Sequence, residues 1–76
     1  MKLTIESTTK IVEVNGVPAR VWEGQTDSGI PVHCFITRVA VENGRVAADY
    51  SQFERELKEC VPPSAALEAI PLRLII

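Results

Sequence analysis

The most regular pattern along the chain is a pair of apolar runs, residues 17–22 and 30–41, which flank the turn-forming segment 23–29. β-Branched and aromatic residues predominate in the second run, and they fit a pleated, half-buried surface better than a helix. Neither alternating set of that run is cleanly polar, so we expect both of its faces to be partly covered. The pattern predicts the centre of an antiparallel sheet, with residues 30–41 as its longest strand.

The N-terminal stretch, residues 3–14, also alternates between apolar and polar side chains, with an interruption at its Ser-Thr-Thr segment. This stretch is either one bulged strand or two short strands. Asn15-Gly16 then predicts a hairpin, because a type I′ turn needs positive φ at both central residues. The hairpin pairs Lys10–Val14 with Val17–Trp22 and directs Pro18 to an unpaired edge or a bulge.

A helix is predicted in the second half of the chain. Ser51 and Glu54 have the spacing of a capping box, which places the start of the helix at Ser51. Phe53 and Leu57 fall on one apolar stripe, which we expect to be buried against the sheet. The two prolines at positions 62–63 end the helix.

Two segments follow the prolines. Residues 64–69 allow one further helical turn capped by Ser64, and the sequence does not decide whether they are helical. Residues 70–76 are apolar enough to form a strand inside the sheet or across a dimer interface. The predicted fold class is therefore α+β, a small antiparallel β-meander with one packed α-helix and a C-terminal strand, in a single domain of residues 1–76.

Composition adds an expectation about self-association. Hydrophobic residues make up 46% of the 76 residues and charged residues 24%, which is the balance of a folded globular domain. A chain of this size buries only about 60% of the surface that its unfolded form exposes. Because its apolar side chains exceed what so small a core can cover, we expect a homo-oligomer, a dimer or larger.

Charge and hydropathy exclude two classes of partner. The net charge is −2, and the eight Lys and Arg residues are scattered along the chain. Duplex nucleic acid is therefore not an expected partner, because its binding depends on neutralising several phosphates together. No segment reaches the roughly 18 apolar residues that span a bilayer, and the N-terminus lacks the apolar core of a signal peptide. We expect no membrane association and a cytoplasmic location.

No pattern indicates catalysis, a metal or a cofactor. Cys34 and Cys60 have neither CxxC nor CxxH spacing, so we interpret both as small buried apolar residues. His33 and Cys34 are neighbours on a predicted strand, where they point to opposite faces and cannot form a dyad. A pair of His33 with Cys60 remains open, without an identifiable orienting acid. The glycines form neither a GxGxxG nor a GxxxxGK pattern. We expect a protein that is not an enzyme.

The candidate binding residues lie on the two central strands. We call Arg20, Trp22, His33 and Arg38 the predicted binding set. Arginine offers a planar fork for phosphate or carboxylate, and tryptophan offers a face for stacking. Arg38 and His33 lie on opposite faces of their strand, so all four meet only at an oligomer interface or across a bulge. The alternative is that the arginines are solvated and Trp22 is packed.

Three stretches carry a resemblance to other proteins: NGVPARVWEG at residues 15–24, GIPVHCFITR at 29–38 and FEREL at 53–57. With them the chain resembles small uncharacterised proteins encoded by phages and prophages of proteobacteria, over most of its length. The resemblance implies the cytoplasm of a bacterial host cell as the location. It also implies an accessory role, because small phage proteins commonly bind and block a host component.

Two functional hypotheses follow. The first is a non-catalytic accessory protein that binds and blocks a host macromolecule, with a role in host defence among the options. The alternative is an oligomeric binder that sequesters a small anionic, nucleotide-like metabolite between subunits. The acidic character of the chain favours the first hypothesis, and the predicted binding set favours the second.

Overall fold

A computed structural model describes residues 1–68 of the chain. Its elements are β1 (Leu3–Val14), β2 (Val17–Thr26), β3 (Pro31–Ile36), α1 (Ala47–Lys58) and α2 (Ala65–Glu68). The strands form one antiparallel sheet in the order β1-β2-β3. This confirms the predicted α+β class, with its meander and its helix. The strand predicted at residues 70–76 lies outside the described residues.

The turn between β1 and β2 is the one that the Asn-Gly pair predicts. Asn15 has φ of 52° and Gly16 has φ of 80°, both positive as a type I′ turn requires. A second glycine, Gly24, allows the two strands to approach at the far end of the hairpin. A Cβ at this position would lie 1.8 Å from the carbonyl oxygen of Thr4, so a side chain there would force the strands apart.

β1 is a single strand with a bulge, which decides between the two alternatives left open by the sequence. Residues 8–10 of β1 lie opposite Val21 alone. Thr8 is completely buried at this bulge, and its hydroxyl donates to the carbonyl of Val21 at 2.7 Å. The amide of Lys10 in turn donates to the Thr8 hydroxyl at 3.3 Å. The side chain of Thr8 thus replaces a ladder hydrogen bond that the bulge removes.

The segment that follows α1 is tied to this bulge by backbone hydrogen bonds. The amide of Val61 donates to the carbonyl of Ser7 at 3.0 Å, and the amide of Thr9 donates to the carbonyl of Val61 at 2.9 Å. Val61 forms a parallel bridge with Thr8, and the Ser7 hydroxyl donates to the carbonyl of Glu59 at 3.1 Å. The bulge therefore fixes where the chain returns to the sheet after α1.

The two faces of the sheet are covered differently. The tryptophan face carries Arg20, Trp22, Cys34 and Ile36, and the histidine face carries Ala19, Val21, Glu23, His33 and Phe35.

The buried hydrophobic residues of the described chain are Ala19, Val21 and Leu67. The first two lie on the histidine face, and Leu67 belongs to α2, whose preceding residue Ser64 is hydrogen-bonded to Glu23 of that face. α1 lies over the tryptophan face instead, and none of its residues is buried. The core therefore sits on the histidine face, while α1 leaves the tryptophan face partly open.

β3 ends at Ile36 and not at residue 41, so it is shorter than predicted. The strand register gives the reason. Ile36 pairs with Arg20, so Arg38 would face Pro18 in the same register. Proline has no amide hydrogen to donate to a neighbouring strand. Residues 37–41 therefore leave the sheet, and the prediction that placed Arg38 within a strand is wrong.

α1 begins at Ala47, four residues before the predicted start at Ser51. The prediction of a capping box is wrong, because Val46 occupies the N-cap position without a side-chain hydrogen bond. Alanine has the highest helix propensity, and two alanines open this helix. Asp49 lies in the first turn, where a carboxylate interacts favourably with the helix dipole, and Arg45 contacts it at 3.0 Å. These residues extend the helix toward the N-terminus.

α2 answers a question that the sequence left open, because residues 65–68 form a helical turn. The amide of Leu67 donates to the hydroxyl of Ser64 at 3.2 Å, so Ser64 caps this turn. The stripe of α1 behaves differently from its prediction, because Phe53 is only half-buried and Leu57 is 42% exposed. The short helix α2 thus contributes more to the core than the longer helix α1.

Substitution of the two leucines separates these contributions. Leu67→Ala should lower the free energy of unfolding by about 2–5 kcal/mol, because it removes a fully buried side chain and leaves a cavity. Leu57→Ala should cost much less, about 1 kcal/mol, because 42% of that residue is already exposed to water. Urea denaturation of both variants measures the difference. Equal losses would mean that α1 packs as tightly as α2.

Candidate functional site

The opening between the sheet and α1 is a groove of about 290 Å³ on the tryptophan face. We call it the tryptophan groove. Its lining comes from both central strands, the bulge of β1, the segment after β3 and one side of α1. The lining residues are Ser7, Arg20, Trp22, Ile36, Thr37, Arg38, Val39, Phe53, Glu56 and Leu57.

The floor of the groove is formed by Trp22 and Arg20 of β2. Trp22 is half-buried and lies between Ser7 of β1 and Cys34 of β3 in the ladder. The guanidinium of Arg20 donates through Nη1 to the carbonyl of Thr8 at 2.8 Å. This hydrogen bond uses a carbonyl that the bulge has taken out of the ladder. The bulge therefore holds Arg20 in place while its other guanidinium donors stay available.

Arg38 supplies a second cation to the groove, from the segment that leaves β3. Its side chain is exposed, and among residues 1–68 no hydrogen-bond or ion-pair partner is found for its guanidinium. Glu56 of α1 lines the same groove without an ion pair to either arginine in that part of the chain. Arg38 is thus the cationic group of the groove that is best placed to meet an anion from solution.

The wall opposite the sheet is apolar. Phe53 and Leu57 lie one turn apart on α1, and Val39, which is 44% exposed, lies at the rim. The groove therefore combines an aromatic floor, an apolar wall and two guanidinium groups. Stacking, apolar contact and bidentate binding of a carboxylate or phosphate are the interactions that such groups provide.

His33 does not join the other members of the predicted binding set. Arg20, Trp22 and Arg38 all line the groove, whereas His33 lies on the histidine face. Its Nε2 is 3.4 Å from Oε1 of Glu23, the residue that it faces across the strands. The predicted strand already separated His33 from Arg38, although β3 ends before Arg38. His33 is not part of the groove, and among residues 1–68 no hydrogen bond joins it to Cys60.

Glu23, His33 and Ser64 form a hydrogen-bonded cluster on the histidine face. The Ser64 hydroxyl and the Ser64 amide both donate to the Glu23 carboxylate, the amide at 3.0 Å. The carboxylate thus lies between the serine and the histidine. In a hydrolase triad the histidine stands between the other two and takes the proton of the serine. The cluster instead anchors the N-terminus of α2 to the sheet.

Hydrogen bonding changes the pKa of Glu23. The Ser64 hydroxyl is the main cause, and it lowers the pKa of Glu23 below its usual value of 4.5. Partial burial opposes this shift, while the Ser64 amide and the charge and hydrogen bond of His33 add to it. Each of these donors stabilises the ionised carboxylate. Glu23 is therefore held in its charged form by the groups that it anchors.

Neither cysteine belongs to the cluster of Glu23, His33 and Ser64. Cys34 is half-buried on the tryptophan face, directly opposite Trp22, and Cys60 is half-buried with its Sγ 3.8 Å from the carbonyl of Leu57.

Within residues 1–68 no group of three or more His, Cys, Asp or Glu side chains has an arrangement suited to a metal ion. The same part of the chain contains no helix of the length and hydropathy that crossing a bilayer requires.

Sequence reasoning missed the helical wall of the site. It assigned Phe53 and Leu57 to the core, although their spacing correctly placed them together on one stripe of the helix. A stripe of this kind looks the same in a sequence whether it closes on a sheet or borders a groove. Val39 was missed for another reason, because the predicted strand through residue 41 placed it on the opposite face from Arg38.

Comparisons of the chain with models of known protein families, with curated proteins and with solved structures find no match.

The pH dependence of folding tests the role of Glu23. The lowered pKa means that the ionised carboxylate stabilises the fold fully above pH 4.5, and that this stabilisation is lost as the pH falls through the pKa of the folded state. Glu23→Gln should therefore be less stable than the parent at pH 7, and the difference should shrink below pH 4.5. Denaturant midpoints between pH 3 and pH 7 measure it, with Glu13→Gln on β1 as the control. A difference that is constant over this range would contradict the assignment.

Proposed function

We propose that this chain is a non-catalytic accessory protein of the phage or prophage kind, which binds and blocks a host macromolecule in the cytoplasm of a bacterial cell. The observation that carries the proposal is the tryptophan groove, where Trp22 and Arg38 meet the apolar side of α1. Tryptophan and arginine are the residues that most often dominate the energy of protein interfaces. The resemblance of the sequence to small phage proteins supports the accessory role.

The shape of the groove favours a protein segment as the occupant. A groove of about 290 Å³ lies at the lower limit of sites that enclose a small ligand, and it is open along the sheet and α1. Such a groove suits a short stretch of chain that places one apolar side chain between Trp22 and Phe53. Because the two arginines outnumber Glu56, the segment would also carry an acidic group that reaches Arg38.

A small anionic, nucleotide-like metabolite is the alternative occupant. The observation that favours it is that Arg20 and Arg38 lie in the same groove as Trp22, so that a base could stack on the indole while a phosphate meets the guanidinium groups. His33 would not contribute to this site, because it lies on the other face. The number of cations available to a phosphate is thus smaller than the predicted binding set suggested.

Capture of the partner tests the proposal. The tagged chain should retain a protein from the lysate of a proteobacterial host, and Arg38→Ala and Trp22→Ala should each lose it. Removing a desolvated arginine or tryptophan from an interface commonly costs 2 kcal/mol or more, which is about a 30-fold loss of affinity. Arg55→Ala, an exposed arginine of α1 that does not line the groove, is the matched control.

A second measurement separates the two occupants. The chain purified from the same host is denatured, and the filtrate is examined for small anions by mass spectrometry. A nucleotide released from the parent, and absent from Arg38→Ala, would support the alternative and contradict the protein partner. Thermal melting of each variant shows whether the fold survives. If stable Trp22→Ala and Arg38→Ala variants keep the captured protein, the groove is not the binding surface.

A further inference from the structure

The outer edge of β3 carries an unusual combination of features. Among residues 1–68 no strand pairs with this edge, since β3 is the last strand of the sheet order. None of the six residues Pro31–Ile36 is an Asp, Glu, Lys or Arg, and the strand contains no bulge. Proteins commonly protect a free edge with charges, a proline or a bulge. β3 has one such device, Pro31 at its first position, and its edge from Val32 to Ile36 is suited to pairing with another strand.

The other edge of the sheet is protected by the same criteria. β1 has the bulge between Ser7 and Ile11, and its backbone there is already bonded to Val61. β1 also carries charged side chains, namely Glu6, Lys10 and Glu13. The contrast between the two edges points to β3 as the edge that is left available.

The backbone register shows which groups β3 presents. The amide of Thr26 donates to the carbonyl of Ile30, so residues in phase with Ile30 bond to β2. The residues that alternate with them, Pro31, His33 and Phe35, direct their backbone groups to the free edge. Pro31 has no amide hydrogen, which is the usual situation of a proline at a strand edge. The edge therefore offers the amides and carbonyls of His33 and Phe35.

We propose that two copies of this chain pair through β3, antiparallel and around a two-fold axis, with Cys34 of one copy directly opposite Cys34 of the other. The product is a continuous six-stranded sheet in which β3 is no longer an edge. A two-fold axis brings the same patch of both subunits together, so one self-complementary strand is sufficient.

Hydrogen bonding selects this register. Residues whose backbone groups point to the free edge must lie opposite one another in the two copies. The axis positions that centre this pairing on β3 are residues 33, 34 and 35. With the axis at Cys34, His33 opposes Phe35 of the other copy, and all amides and carbonyls of these residues are paired. An axis at His33 would set Phe35 against Pro31, which has no donor. An axis at Phe35 would need Thr37, which lies beyond the end of β3.

The side chains agree with the same register. On the tryptophan face Val32 opposes Ile36, so that two apolar side chains of intermediate exposure meet across the axis. Cys34 opposes itself in a pair without direct hydrogen bonds, where Cα atoms are about 4.5 Å apart. A disulfide bridges Cα atoms that are about 4.4–6.8 Å apart, so the two thiols are within reach of an oxidant-driven bond.

Cross-linking through Cys34 tests the interface. The full-length Cys60→Ser variant is treated with diamide, which accepts the two electrons and two protons that two thiols lose on forming a disulfide. We expect a covalent dimer on a non-reducing gel, at twice the 8.4 kDa of the chain. The full-length Cys34→Ser variant, with Cys60 as its only thiol, should give none. Equal cross-linking of both variants would overturn the proposal.

Light scattering at tens of micromolar gives an independent result. Cys34→Ser should keep the dimer mass, because a hydroxyl fits where the thiol was. Cys34→Lys should give the monomer mass, because it sets two positive charges face to face at the axis. Circular dichroism checks that Cys34→Lys is folded, and Val32→Lys replaces it if it is not. A monomeric parent chain, or a dimer that persists in the folded lysine variant, would overturn the proposal.

Discussion

The bulge around Thr8 is the constraint on which the rest of the described structure depends. Residues 8–10 lack some of the backbone hydrogen bonds of the β1–β2 ladder. Their backbone polar groups therefore form hydrogen bonds with other parts of the chain. The buried Thr8 hydroxyl donates to the carbonyl of Val21, and the Thr8 carbonyl accepts from the guanidinium of Arg20. The backbone on either side of Thr8 is hydrogen-bonded to the backbone of Val61. One irregularity thus orients a side chain of the groove and fixes the return of the chain after α1.

Unequal covering of the two faces follows from this arrangement. Only three residues, from Glu59 to Val61, join the end of α1 to the sheet, and the helix itself buries none of its side chains. α2 lies at the histidine face, where the hydrogen bonds between Ser64 and Glu23 hold its N-terminus. Within residues 1–68 the buried apolar side chains belong to that face and to α2, whereas the tryptophan face stays partly open.

The groove and the free edge of β3 are adjacent but distinct surfaces. Cys34 lies opposite Trp22 within the sheet and would lie at the axis of the proposed dimer. Pairing through β3 would therefore place two tryptophan grooves on the same side of one sheet. A bivalent partner would bind such a dimer more tightly than it binds one groove, because the second contact is made at high effective concentration. Each surface can nevertheless be altered without removing a residue of the other.

The sequence by itself determined the features that depend on near neighbours. Asn15-Gly16 specified its turn through backbone sterics, and strand alternation correctly placed Arg20 and Trp22 on the face opposite Val21. Only the tertiary structure decided where β3 ends, because that depends on its alignment with Pro18, about 20 residues earlier in the chain. It also decided that His33 meets Glu23 and that Phe53 borders a groove. These outcomes depend on which distant segment covers each face, and local periodicity carries no information about that choice.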